Sequence, residues 1–153
     1  MRHLLVTTDL SEASTAAFSV AREQAQALGS QECRVTLLHV CEDITAATFH
    51  YGLGTDVQNI LHDLESSAQQ ELDKIRDRFF SGMPVMTTVI RAHKPVAREI
   101  VDFAHTHHVT TIILSSHGRS GFDHFLNGSV AERILRLSEC PVLVLPAGRR
   151  IST

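Results

Sequence analysis

Apolar positions along this chain follow two rhythms that take turns. Short unbroken runs, the mark of strands buried on both faces, alternate with stretches in which apolar residues recur every three to four positions, the mark of amphipathic helices. Residues 3–8 (His-Leu-Leu-Val-Thr-Thr) form the first run. Ser11 then stands where a helix cap is expected, ahead of the stripe Ala13, Ala16, Ala17, Val20, Ala21, Ala27 and Leu28, which Gly29 stops. The second run spans Arg34 to Val40 and is rich in branched aliphatics. After a loop with Gly52 and Gly54, the stripe Val57, Ile60, Leu61, Leu64, Ala68, Leu72, Ile75 and Phe79 predicts a long helix from about Thr55 to Gly82. Residues 84–91 predict a third strand. Pro95 sits where the first turn of a helix tolerates proline, with Ala97, Ile100, Val101 and Ala104 on the buried side. Thr110–Ser116 and Pro141–Leu145 predict the fourth and fifth strands, with a helix near Ser129–Leu137 between them.

This alternation predicts a single α/β domain over residues 1–153, with a five-stranded parallel doubly wound sheet and helices on both faces, a Rossmann-like architecture. Such sheets bind ligands beyond the carboxyl ends of their strands, where the strand order reverses. The positions to inspect are therefore Thr7-Thr8-Asp9, Val40-Cys41-Glu42, Arg91-Ala92-His93, Ser115–Asn127 and Pro146-Ala147.

Composition narrows the partners. Fourteen Lys and Arg against seventeen Asp and Glu leave a formal charge of −3 with no basic run, which argues against nucleic acid. The opening residues reach Asp9 too early for a signal-peptide core, and no apolar stretch approaches the ~20 residues of a membrane span, so a cytoplasmic location away from membranes is expected. Cys33, Cys41 and Cys140 have no C-x-x-C spacing and are expected as reduced thiols. His105, His107 and His108 close the helix that follows Pro95, where partly charged imidazoles suit a helix C-terminus without any metal.

The chemistry concentrates after the fourth strand, in Ser115-Ser116-His117-Gly118-Arg119-Ser120-Gly121 and Gly128-Ser129-Val130. Glycines at 118, 121 and 128 allow close approach to backbone N–H groups, and the start of the last helix favours an anion, so phosphate is the natural guest. The alternative is that these glycines serve turns and Ser129 only caps the helix. Asp9 has two readings as well, an N-cap for the first helix or a ligand group. No Walker A loop and no G-x-G-x-x-G is present, and the pocket-facing residues offer no nucleophile paired with a base. No catalytic residues and no metal site are therefore expected, and ATP turnover would at most be slow.

These residues resemble the universal stress protein superfamily over essentially the full chain. The family's ATP-binding members carry Gly-x2-Gly-x9-Gly-Ser/Thr, and Gly118, nine intervening residues, Gly128 and Ser129 reproduce the later elements, with Ser115 where the first glycine falls. Leu-Leu-Val-Thr-Thr-Asp9-Leu-Ser11-Glu12, Leu37-Leu38-His39-Val40, Ser116–Ser120, Gly128–Ile134 and Cys140–Leu145 add to the likeness. The resemblance implies that Thr8 and Asp9 floor the adenine and ribose and that the Val40 backbone meets the adenine edge. It further implies that His117, Gly118, Gly128, Ser129 and the N–H of Val130 hold the phosphates. Arg119, beside that loop, is placed to touch a γ-phosphate. Ser115 adds a Cβ where ribose and α-phosphate approach, and Asp9 could share a Mg²⁺ only with water or phosphate oxygens.

Two functions follow. One is a stress-response module regulated by ATP; the other is a non-nucleotide member acting as a dimeric partner-binding module. The apolar run 141–145 is either internal to the sheet or an exposed edge that needs cover, and the resemblance implies an edge that pairs with its twofold mate in a homodimer.

Overall fold

A computed structural model describes residues 1–29, 31–42, 57–116 and 130–146. In chain order these form β1 (Arg2–Thr7), a short 3₁₀ turn (Glu12–Ser14), α1 (Thr15–Leu28), β2 (Cys33–Cys41) and α2 (Val57–Phe79). They continue as β3 (Val85–Arg91), α3 (Val96–Thr106), β4 (Thr111–Ser115), α4 (Val130–Leu137) and β5 (Val142–Leu145). All strand pairs are parallel and the sheet order is β3-β2-β1-β4-β5, the doubly wound arrangement expected. The chain starts in the centre, steps outward to β3, then returns to the other side of β1. The reversal therefore falls between β1 and β4.

Because successive strand residues face opposite ways, each buried strand supplies two cores. Leu4, Val6, Val35, Leu37 and Ile113 pack on α1 and α2 through Ala17, Phe18, Ala21 and Leu72. Leu5, Leu38, Val40, Ile112 and Leu114 pack on α3 and α4 through Ala97, Ile100, Ala104, Ala131 and Ile134. α1 ends at Gly29, whose φ of 82° suits a residue without Cβ and whose N–H bonds the Ala25 carbonyl at 3.0 Å. At the end of α3 the His107 ring stacks on Phe103 at 3.9 Å between centroids and bonds the Phe103 carbonyl through Nδ1 at 2.9 Å.

Three local expectations are corrected. Ser11 makes no side-chain cap bond; its hydroxyl donates to Asp9 Oδ1 at 2.6 Å, and the α-helix begins only at Thr15, after the 3₁₀ turn. The buried face of α1 is Ala17, Phe18, Ala21 and Ala25, continued by Ser14 of the 3₁₀ turn, whereas Ala27 and Leu28 are exposed. That phase follows Phe18, the largest apolar side chain on the helix, which packs against Phe79 and Phe80. On α2, Leu64 is 45% exposed although Leu61 before it and Ala68 after it are buried, so it stands off the buried line of Val57, Leu61, Ala68 and Leu72.

Candidate functional site

The carboxyl ends of the strands are uneven. β1 pairs with β2 only as far as Thr7↔Leu38, while β2 runs on beside β3 to Cys41↔Arg91. On the other side β1 pairs with β4 only to Val6↔Ile113, while β4 runs on beside β5 to Ser115↔Leu145. At the carboxyl end the central strand thus stops before both neighbours. At ~3.3 Å per residue, the three further residues of β2 raise a wall roughly 10 Å high. The result is a notch floored by Thr8 and Asp9, with Val40 on one wall and Ser115 on the other. Four of the candidate residues are brought together in this way, at the point where the strand order reverses.

The floor is held by local hydrogen bonds. Thr8 N–H donates to the Leu38 carbonyl at 3.0 Å, and Thr8 Oγ1 accepts the Leu10 N–H at 2.9 Å. Leu10 takes a φ of +65°, a left-handed conformation uncommon for leucine, and the chain leaves the sheet through it. Asp9 Oδ1 accepts from the Ser11 N–H at 3.1 Å, the Ser11 hydroxyl at 2.6 Å and the Ser14 hydroxyl at 3.1 Å. Asp9 is accordingly the hub of an Asx turn that orders the start of α1 from outside the helix, rather than its N-cap.

On the walls, Val40 is 8% exposed, so what it offers a ligand is its backbone. Ser115 has a backbone without positive φ, and its hydroxyl leans toward β5, 3.4 Å from the Leu145 carbonyl. Ser116 N–H bonds that carbonyl at 2.7 Å. Val130 is the first residue of α4 and is 43% exposed. Since α4 connects two parallel strands, it starts at the carboxyl edge of the sheet, the edge that carries the notch. His117, Gly118, Arg119, Gly128 and Ser129 lie outside the described residues.

Sequence reasoning gave no role to His39, whose Nδ1 lies 2.8 Å from the Thr8 carbonyl. The available signal was a polar ring at a strand position otherwise taken by aliphatics. It also passed over His3, buried at the far end of the sheet between Thr36 Oγ1 at 2.9 Å and the His107 carbonyl at 3.1 Å. Burial pushes its pKa below the ordinary imidazole value, a shift partly opposed by the His107 carbonyl. Beside the notch, burial raises the Cys41 thiol pKa; Glu65 adds to the rise and Arg91 opposes it. Cys33, Cys41 and Cys140 are all free thiols. Among the described residues no group of three His, Cys, Asp or Glu is arranged to hold a metal, and no helix is long and apolar enough to cross a membrane. A hollow of about 520 Å³ among them is an open groove at the opposite end of the sheet, lined by Met1, Arg2, Ala27, Leu28, Glu32 and Thr110, with no converging polar set.

This fold and this notch belong to a known class. The model of the universal stress protein family matches residues 1–146, and the chain belongs to that family. It is 27% identical over 146 residues to universal stress protein YxiE of Bacillus subtilis, covering 93% of this chain and 97% of that one. It is 32% identical over 88 residues to universal stress protein MJ0531 of Methanocaldococcus jannaschii, a match spanning 58% of this chain and 45% of that protein. Among solved structures, hypothetical protein MJ0577 superposes with a TM-score of 0.80 at 26% identity, covering 97% of both chains. Proteins of the same fold have been solved with adenine nucleotides: one from Archaeoglobus fulgidus with dAMP (TM-score 0.59, 19% identity), one from Arabidopsis thaliana with AMP (0.64, 14%) and one with cAMP (0.64, 16%).

Proposed function

We propose that this chain binds an adenine nucleotide, ATP, in the notch above β1 and acts as a nucleotide-responsive module of the stress response. The observation that carries the reading is the uneven strand ends, which put Thr8, Asp9, Val40 and Ser115 around one hollow at the strand-order reversal. Those residues fit a purine nucleotide. The adenine edge meets the Val40 backbone, Thr8 and Asp9 floor the base and ribose, and Ser115 flanks the ribose and α-phosphate. The phosphates run toward the start of α4, where the Val130 N–H and the helix dipole favour negative charge. His117, Gly118, Gly128 and Ser129 complete that cradle on the strength of their spacing, and Arg119 reaches the γ-phosphate. A Mg²⁺ accompanying the ATP takes its ligands mainly from phosphate oxygens and water, since Asp9 Oδ1 already accepts three hydrogen bonds. The chain works in the cytoplasm as a homodimer through β5, and any hydrolysis is slow.

The alternative, a dimeric partner-binding module without nucleotide, is favoured by one feature, the Ser115 Cβ on the wall of the notch. The test is direct. Protein purified without added nucleotide is denatured and the supernatant analysed by mass for adenine nucleotides, and the stripped protein is melted with and without millimolar MgATP. Bound adenine nucleotide and a raised Tm are expected through linkage. No nucleotide and no shift would leave the partner-binding reading.

A further inference from the structure

The shortness of β1 on its β2 side has an identifiable cause. In a parallel ladder the N–H and C=O of one residue point toward the same neighbouring strand, and this direction alternates from residue to residue. The Leu38 carbonyl accepts the Thr8 N–H, so residue 38 faces β1; the Cys41 carbonyl accepts the Ala92 N–H at 2.8 Å, so residue 41 faces the β3 side. Val40 therefore turns its N–H and C=O toward β1. The next rung of the ladder would join the Val40 N–H to the Thr8 carbonyl. That rung is absent from the register, which stops at Thr7↔Leu38, and the Thr8 carbonyl instead faces Nδ1 of His39 at 2.8 Å. A carbonyl only accepts, so Nδ1 carries the proton and donates it. The ring thus occupies the acceptor that the ladder would have used. Val40 is left presenting one acceptor and one donor, side by side, over the end of β1.

We infer that His39 is the positioning residue for base recognition: by capping the Thr8 carbonyl it stops the β1–β2 ladder one rung early and turns the Val40 N–H and C=O to the edge of a purine. The inference rests on the nucleotide reading above and specifies the base. An adenine edge offers an amino donor beside a ring-nitrogen acceptor and complements this pair. A guanine edge offers a carbonyl acceptor beside an N–H donor and opposes it at both positions. A site that hydrogen-bonds its ligand rejects an analogue leaving its polar groups unpaired.

Two variants and two measurements test this. His39→Phe keeps a ring of similar size and removes the donor; His39→Asn keeps a donor near the position of Nδ1. In ligand-free protein, amide hydrogen exchange at Val40 is expected to be fast relative to Leu38 in the unaltered chain and in His39→Asn, and slowed in His39→Phe as the missing rung closes. ATP affinity is expected to fall at least tenfold in His39→Phe, with the preference for ATP over GTP shrinking in step, and to recover in His39→Asn. Unchanged Val40 exchange together with an ATP-to-GTP preference within twofold of the unaltered chain would overturn the inference. Should His39→Phe not fold, Val40 exchange in the unaltered chain decides alone, and protection there equal to that of Leu38 overturns it. If the unaltered chain binds no nucleotide, the functional reading falls and the base-recognition role falls with it. The exchange rates still report separately whether His39 stops the ladder.

Discussion

On the nucleotide reading proposed above, Ser115 falls where the binding motif would place its first glycine, and the backbone there needs no glycine, since its φ is not positive. What a glycine would supply is room. The Ser115 Cβ narrows the notch on the β4 side while its hydroxyl leans 3.4 Å from the Leu145 carbonyl, a separation at which a hydrogen bond is weak. Ser115→Gly is accordingly expected to tighten ATP binding a few-fold in titration calorimetry, and a loss of affinity would make the hydroxyl a ligand contact. His3, at the other end of the sheet, governs a pH effect. With Nδ1 donating to the His107 carbonyl and Nε2 accepting from the Thr36 hydroxyl, the ring is satisfied as a neutral imidazole. Its folded pKa lies below the unfolded value of 6.5, so above pH 6.5 its contribution to stability is fully present. As pH falls below 6.5 the unfolded chain binds a proton that the folded chain refuses, and stability declines until the folded pKa is passed. Urea unfolding at pH 8 and pH 5.5 should show a smaller loss for His3→Asn than for the unaltered chain.

At the scale of elements, α1 is docked by one ring. Phe18 is 1% exposed, with centroids 5.3 Å from Phe79 and 6.4 Å from Phe80, and it joins α1, the end of α2 and the sheet face of Leu4, Val6 and Ile113. Truncating a buried phenylalanine leaves a cavity that a close-packed core refills poorly. Phe18→Ala should cost about 3–5 kcal/mol in equilibrium denaturation, a figure typical of such cavities. Ala27→Ser, on the exposed end of the same helix, should stay within about 0.5 kcal/mol, as surface changes usually do. A reversed order would mean that the helix packs in the phase expected from its alanines rather than the one set by Phe18.

For the whole molecule, β5 lies at the edge of the sheet, and its two sides are distinguishable by register. Pro141 and Leu145 turn their carbonyls to Ile112 and Ser116 of the β4 side, so Val142 and Val144 direct their N–H and C=O outward. An apolar edge with outward donors is open to strand addition unless covered. Pairing with a twofold copy covers it, and sedimentation at micromolar concentration should give about twice the 16.9 kDa of the chain. Val144→Pro removes an outward donor and leaves the β4 ladder intact, so it should yield a folded monomer. Leu143→Pro, on the inward register, should instead unfold the chain. A monomeric unaltered protein at high concentration would refute the dimer.

Much of this was written in the order of residues. The unbroken runs ending near Thr7, Val40, Ile90, Ser115 and Leu145 and the stripes between them determine five strands, their helices and the doubly wound class, because burial on two faces or on one stripe is a local periodicity. The same order marks Thr8, Asp9, Val40 and Ser115 as strand-end positions. It does not say which ends are neighbours or how far each strand outruns the next. Registers such as Thr7↔Leu38 and Ser115↔Leu145 join residues some thirty positions apart, and no local period records them. The phase of α1 was decided by Phe18 against Phe79 and Phe80, a contact that only assembly creates. So was the pairing of His39 with Thr8. An imidazole in a strand has no partner until the neighbouring strand arrives, and only the packed sheet decides that it takes a carbonyl and ends a ladder.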